Sequence, residues 1–233
     1  MSFHSQYLLC FAVSIIELIT IYYNIKSGRR NKLELNDIHI DILKEIGNIG
    51  AGNAATSLSE MLSKRIDMNV PEVSLLNYND IIESIGGAEN IIVGILVSFQ
   101  GDIDGVILFL LKKEFVHLIL NSLLGTELHS FEEISEMDMS ALSEIGNIMV
   151  SSYVNSISTL TNMKIDITVP SLNIDMSGAL LDAVTAEFSE AADKVIFIKE
   201  KYFCQDETVY SHMLLLPSMT SLEILLKSFG IDI

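Results

Sequence analysis

Glu45-Ile46-Gly47-Asn48-Ile49 recurs as Glu144-Ile145-Gly146-Asn147-Ile148, 99 residues later in a chain of 233. Identity over a run at one fixed offset marks an internal duplication, in which whatever one copy builds the other builds again. Outward from each copy the signals come in the same order: a long helical pattern, a Val-Pro dipeptide (Val70-Pro71, Val169-Pro170), a mixed segment, two strand-like apolar runs and a closing amphipathic helix.

In the first copy Ile38, Ile42, Ile46, Ile49, Leu58 and Leu62 recur at helical spacing, which predicts a helix to about Ser63 with Asn36 or Asp37 as its N-cap. The β-rich runs 91–99 and 103–111, separated by Gln100-Gly101-Asp102, predict a hairpin, and 113–124 predicts a helix ending at Gly125. The second copy predicts its long helix over about 136–162, its strand pair at 195–203 and 208–216, and its closing helix at 218–229. No Pro/Gly-rich linker separates the halves. The expectation is therefore one α/β (α+β) domain over 33–233, built of two pseudo-symmetric repeats at about 37–135 and 136–233. Strand order does not follow from the pattern.

The chain is 49% hydrophobic, enough to bury a substantial core, and carries 31 acids against 14 bases for a formal charge of −17. Residues 1–36 hold four of the bases and two of the acids, leaving 10 bases and 29 acids in the remainder. That balance argues against nucleic acid and against an anionic lipid surface for the body, and favours a partner with a basic face. Cys10 and Cys204 are the only cysteines and form no CxxC-type pair; His4, His39, His117, His129 and His212 show no i,i+3 or i,i+4 spacing. No disulfide framework, protein-held metal or cofactor is expected, and the cysteine usage suits a reducing cytoplasm.

Residues 7–25 are mostly apolar and are followed by Lys26, Arg29, Arg30 and Lys32. The run is long enough to cross a bilayer, and the basic cluster would leave the body on the cytoplasmic side, tethered to the inner face of the cell membrane. Glu17 near its centre opposes a span. The extension 1–32 equally suits an amphipathic helix packed on the body or an upstream stretch the working protein does not need. A cleaved signal peptide does not fit, because the basic cluster follows the apolar run.

The polar positions of each long helix line up: Asp41, Glu45 and Asn48 in the first, Ser140, Glu144 and Asn147 in the second, all at i, i+4, i+7 and so on one face. Apolar residues lie largely opposite, so the stripes are expected to face solvent or a partner. Pro71 and Pro170 each follow the motif asparagine after 22 intervening residues. One such stripe alone would be an ordinary solvated helix face. Two in register with a repeat, each with the same proline spacing, are a signal.

The pattern [Asp/Ser]-x-x-x-Glu-x-x-Asn-x22-Pro resembles the signature of the CheC, CheX and FliY phosphatases, which act on phosphorylated CheY in bacterial chemotaxis; the resemblance covers about 37–233, internal repeat included. It implies a phospho-aspartate phosphatase acting on a CheY-like response regulator, with Mg2+ carried by that partner. Asn48 and Asn147 would position the attacking water, since a carboxamide offers both a donor and an acceptor without being a base. Glu45 and Glu144 would reach the partner's active-site lysine and fix docking. Asp41 and Ser140 would lie at the edge of the contact, and Pro71 and Pro170 are motif members more suited to shaping strand entry than to touching phosphate.

A second reading is a non-enzymatic module that docks a response regulator, a flagellar switch component or the receptor deamidase CheD, although no residue can be nominated for CheD. Gly50-Ala51-Gly52-Asn53-Ala54-Ala55 fits G-x-G-x-x-A, but the helical pattern runs through it and copy two has Met149 and Ser151 at those glycines, which removes the dinucleotide-binding reading. There is no G-x-S-x-G elbow to support a serine hydrolase. Each interior glycine would cost roughly 1 kcal/mol against alanine in a helix, so compensation is expected: tight packing between the halves, or room for a partner beside the asparagine.

Overall fold

The computed structural model describes residues 35–188 and 195–230. Repeat one forms α1 (Asp37–Leu62), β1 (Ile66–Met68), β2 (Glu72–Leu76), α2 (Tyr78–Ile85), β3 (Ile91–Gly101), β4 (Gly105–Leu111) and α3 (Lys113–Leu124). A 3-10 turn at Phe131–Glu133 leads into repeat two: α4 (Glu136–Thr161), β5 (Ile165–Ile167), β6 (Ser171–Met176), α5 (Ser177–Phe188), β7 (Val195–Cys204), β8 (Glu207–Pro217) and α6 (Met219–Ser228). The long helices, hairpins and closing helices lie within one or two residues of their expected bounds. The segments read only as mixed hold two short strands and a helix in each repeat.

All eight strands belong to one antiparallel sheet, with β8 beside β4 at its centre and the order β1-β7-β8-β4-β3-β5. The pairing exchanges elements between the halves. Strands β1 and β2 of repeat one lie end to end along β7 of repeat two, while β5 and β6 of repeat two lie along β3 of repeat one. Each half thus completes the other half's hairpin, and the mixed α/β architecture is that of two copies interlocked through one sheet.

Alternation along the strands sends side chains to opposite faces. Ile95, Val97, Ile107, Phe109, Ile198, Met213 and Leu215 meet α1, α3, α4 and α6 on one side. Ile92, Leu96, Leu108, Leu110, Phe197 and Leu214 meet α2 and α5 on the other. Because β3, β4 and much of β7 and β8 are covered on both faces, they read in sequence as continuous apolar runs.

The helices α1 and α4 cross where Gly50 meets Tyr153. A Cβ on Gly50 would lie 2.4 Å from the Tyr153 ring, so only glycine permits this approach. Alongside, the Asn53 amide donates to the Ser156 hydroxyl at 3.0 Å. The compensation for a helix-interior glycine at position 50 is therefore packing between the halves; at Gly52 a Cβ would meet open space.

Tyr153 also begins a buried polar knot. Its hydroxyl donates to one carboxylate oxygen of Glu200 on β7, and the Ser211 hydroxyl on β8 donates to the other. Glu200 is fully buried, and burial pushes its carboxyl above the usual range, with hydrogen bonds from Ser211 and Tyr153 opposing the shift. A buried carboxyl is tolerated when its lone pairs are used in this way.

One correction to the sequence-based expectations concerns a surface. Ile38, assigned by its spacing to the buried face of α1, is exposed, and Ile42 and Ile49 are half-buried. Ile46, Leu58 and Leu62 are buried as expected, and the buried face continues through Leu43, Gly47, Gly50, Ala51 and Ala54, because the small residues let the helix lie close to its neighbours on that side. Residues 7–25, the candidate tether, lie outside the described residues; among those described, no helix is long and apolar enough to cross a membrane.

His212 on β8 is buried against the Phe197 ring, 5.6 Å between centroids, and its Nδ1 finds no hydrogen-bond partner. Burial, reinforced by the charges of Lys112 and Lys199, lowers its pKa from 6.5 to about 4. An unfolded chain takes up this proton below pH 6.5 while the folded chain refuses it, so stability falls as pH drops from 6.5 towards 4, by about 3 kcal/mol in full. His212→Phe keeps the ring stack and removes the titration. Urea unfolding at a series of pH values is expected to show the variant gaining on the wild type as pH falls through this window; parallel curves would contradict the assignment.

Candidate functional site

Each motif helix starts from a reciprocal capping box at the same repeat position. The His39 backbone N–H donates to Asn36 Oδ1 and the Asn36 N–H donates to His39 Nδ1, both at 3.1 Å. Ser135 and Asp138 do the same for α4. Asp138 is buried, which alone would raise its pKa, but the Ser135 hydroxyl at 2.7 Å, the Ser135 N–H at 2.9 Å and the Thr126 hydroxyl at 3.1 Å hold the carboxyl below its ordinary value. These boxes satisfy otherwise orphaned N–H groups and fix where each helix begins.

One and two turns further on, the stripes face outward. Glu45 and Glu144 are exposed, and Asn48 and Asn147 are half-buried at the edge of the helix–sheet contact. The glycine between each Glu and Asn faces the sheet. A Cβ on Gly47 would meet Val73 Cγ2 at 3.1 Å, Ile198 Cδ1 at 3.6 Å and Pro71 Cγ at 3.9 Å; one on Gly146 would meet Ile95 Cγ2 at 2.6 Å. Ile198 belongs to repeat two and Ile95 to repeat one. Each motif helix therefore rests on a strand of the opposite half, and the missing side chain lets it sink far enough to hold Glu and Asn at the surface.

The remaining motif positions have local roles. Asp41 is exposed and paired with Lys44 at 2.8 Å, a contact of small energetic weight that occupies its carboxylate within α1. Lys44 was not singled out from sequence, and Ser143 replaces it in repeat two. The Ser140 hydroxyl donates to the Glu136 carbonyl at 2.9 Å. Pro71 is buried directly before β2, and Pro170 is half-buried directly before β6, where the absent N–H removes no ladder bond from the strand that follows. Among the described residues no group of three or more His, Cys, Asp or Glu side chains is arranged to hold a metal ion. The site offers two outward pairs of one carboxylate and one carboxamide, on separate helices.

Residues 38–75 and 137–174, the two segments that carry these pairs, match the model of the CheC-like family. Over 200 residues the chain is 31% identical to the CheY-P phosphatase CheC of Bacillus subtilis, covering 84% of this chain and 96% of that protein. The chain belongs to the CheC-like family. It is also 28% identical over 142 residues to the flagellar motor switch phosphatase FliY of Bacillus subtilis, covering 60% of this chain but 37% of that protein. The crystal structure of Thermotoga maritima FliY superposes with a TM-score of 0.68 at 24% identity, covering 85% of this chain and 98% of that one, which supports the CheC-like fold.

The two glycine seats differ in tolerance. Val73 is half-buried and can yield the few tenths of an ångström that an alanine at Gly47 needs, whereas Ile95 is fully buried and overlaps a Cβ on Gly146. Alanine gains roughly 1 kcal/mol of helix propensity over glycine in both cases. Gly47→Ala is expected to be close to neutral, and Gly146→Ala to destabilise by roughly 1–3 kcal/mol through overpacking. Urea unfolding of the two variants checks this, and equal effects would contradict it.

Proposed function

We propose that this chain hydrolyses the aspartyl phosphate of a CheY-like response regulator, with Asn48 and Asn147 aligning the attacking water and Glu45 and Glu144 engaging the lysine beside the phosphate. The observation that carries this reading is the outward Glu/Asn pair, present twice in register with the repeat, in a chain 31% identical across nearly its whole relative to a CheY-P phosphatase.

The chemistry asks little of the phosphatase. A phosphorylated receiver domain already holds Mg2+ and a lysine against the phosphoryl oxygens, and the missing component is a water fixed in line with the scissile bond. The water oxygen bonds to phosphorus, the bond to the aspartate oxygen breaks, the carboxylate departs with its electron pair, and the water proton leaves with inorganic phosphate or to solvent. Asparagine orients that water through its carbonyl and amide without accepting the proton. A half-buried asparagine at the edge of a helix–sheet seat is held in place yet reachable. An exposed glutamate one turn earlier can extend to a cation on the partner and set the docking register.

Two sites on separate helices act independently in this reading. Asn48→Ala and Asn147→Ala are each expected to lower the rate of CheY-P decay in part, and the double variant to return it to the spontaneous rate, as followed by loss of labelled phosphate. A double variant of full activity would overturn the mechanism. Binding without acceleration by the wild type would leave the stripes as docking surfaces of a non-enzymatic module.

A further inference from the structure

Four side chains stand out among the exposed large apolar residues of the described chain. Val169 is 85% exposed, Val70 74%, Met137 67% and Ile38 60%, while every other such residue is less than half exposed. Single exposed apolar residues are common on protein surfaces and mean little. These four are not single: Val70 and Val169 are 99 residues apart, as are Ile38 and Met137, the same offset that separates the two Glu-x-x-Asn motifs. The most solvent-exposed apolar side chains therefore occupy two repeat-equivalent positions, retained in both copies although sequence has diverged at many others.

Both positions lie on the motif helices or on the strand connections next to them. Ile38 and Met137 lie in the first turn of their helices, seven residues before Glu45 and Glu144, so each shares a helix face with its glutamate. Val70 immediately precedes Pro71, whose ring packs over Gly47 between Glu45 and Asn48. The β1–β2 connection that carries Val70 thus runs beside the Gly47 turn of α1, and Val169 holds the repeat-equivalent position between β5 and β6, the two short strands that contact α4. Each carboxylate/carboxamide pair has one exposed apolar side chain before it on the helix and another on the connection between the two short strands that contact that helix.

We propose that Val70 with Ile38, and Val169 with Met137, are the apolar anchors that dock the response regulator at the two sites, flanking the polar pair that engages the phosphorylated centre. The assignment rests on the phosphatase reading for the identity of the occupant. A lone Glu–Lys contact at an exposed surface contributes little affinity, whereas apolar groups desolvated around it supply binding energy and exclude water from the polar contact. Their continuity with the motif face makes one partner cover both. Val70 and Val169 are so exposed that substitution leaves the packing of the chain untouched.

The test uses the full chain with two preparations of Bacillus subtilis CheY: the phosphorylated form, for turnover, and the beryllofluoride-activated form, for binding without turnover. Val70→Asp with Val169→Asp is expected to weaken binding of activated CheY about tenfold or more and to raise KM for CheY-P by a similar factor, with kcat and the melting temperature held; Val→Leu at both positions is expected to retain affinity. Unchanged affinity in the aspartate variant would overturn the proposal, as would a fall in kcat at constant KM. So would conversion of a dimer to a monomer at constant KM, which would make the patch a contact between copies of this chain. If the wild type binds activated CheY but does not speed its dephosphorylation, the phosphatase reading fails while the anchors are still judged by the loss of binding. A wild type that does not bind overturns both.

Discussion

Everything in this fold turns on how closely each motif helix can approach the strands of the opposite half. Gly47 lies on Val73 and Ile198, and Gly146 lies on Ile95; no side chain intervenes, so α1 and α4 sink onto the sheet and cross each other at Gly50 and Tyr153. The sheet beneath is itself shared, since β1 and β2 complete the hairpin of repeat two and β5 and β6 that of repeat one. A motif helix therefore has its seat only when the other half is in place. The same contact fixes rotation about the helix axis: with glycine facing down, the glutamate and asparagine on either side of it face away from the sheet or along its edge.

Duplication supplies two such seats, but their surroundings have diverged. Two residues beyond the isoleucine that meets each motif glycine, repeat one has Val97 and repeat two has Glu200, and the helix position held by Tyr153 in repeat two is Ala54 in repeat one. Repeat two thus holds a buried carboxyl, satisfied by Tyr153 and Ser211, where repeat one is aliphatic. The capping box of α1 uses His39 and that of α4 uses Asp138. Asp41 has Lys44 as a partner, and Ser140 turns back onto its own helix. The outward Glu/Asn stripe is what both copies keep through these changes.

Much of this was legible in the sequence, for identifiable reasons. The repeated pentapeptide exposed the duplication, and strands covered on both faces produced apolar runs too long and too β-rich to mistake. The stripe could be placed on the outer face because most of the residues between its members are apolar or glycine, Lys44 and Ser143 excepted. What was hidden is non-local or short. Strand β1 has three residues, and no periodicity can declare it; its partner lies more than a hundred residues away on β7. The inward turn of Glu200, between Lys199 and Lys201, depends on a register that places Tyr153 and Ser211 around it. Ile38 fits a helical apolar pattern, yet the helix buries its glycine and alanine stripe instead, and only solvent exposure shows that this isoleucine faces outward. The Val-Pro dipeptides were visible as repeat markers, but the valines' exposure was not.

Whether the duplicated stripes form an enzyme or only a docking surface is decided by substoichiometric turnover. Release of inorganic phosphate from phosphorylated CheY would be followed with the chain present at a small fraction of the CheY concentration. If the stripes are catalytic, the whole CheY-P pool decays faster than it does alone, at a rate proportional to the amount of chain. Decay at the spontaneous rate, or an effect confined to a fraction of CheY-P matching the chain added, would contradict catalysis.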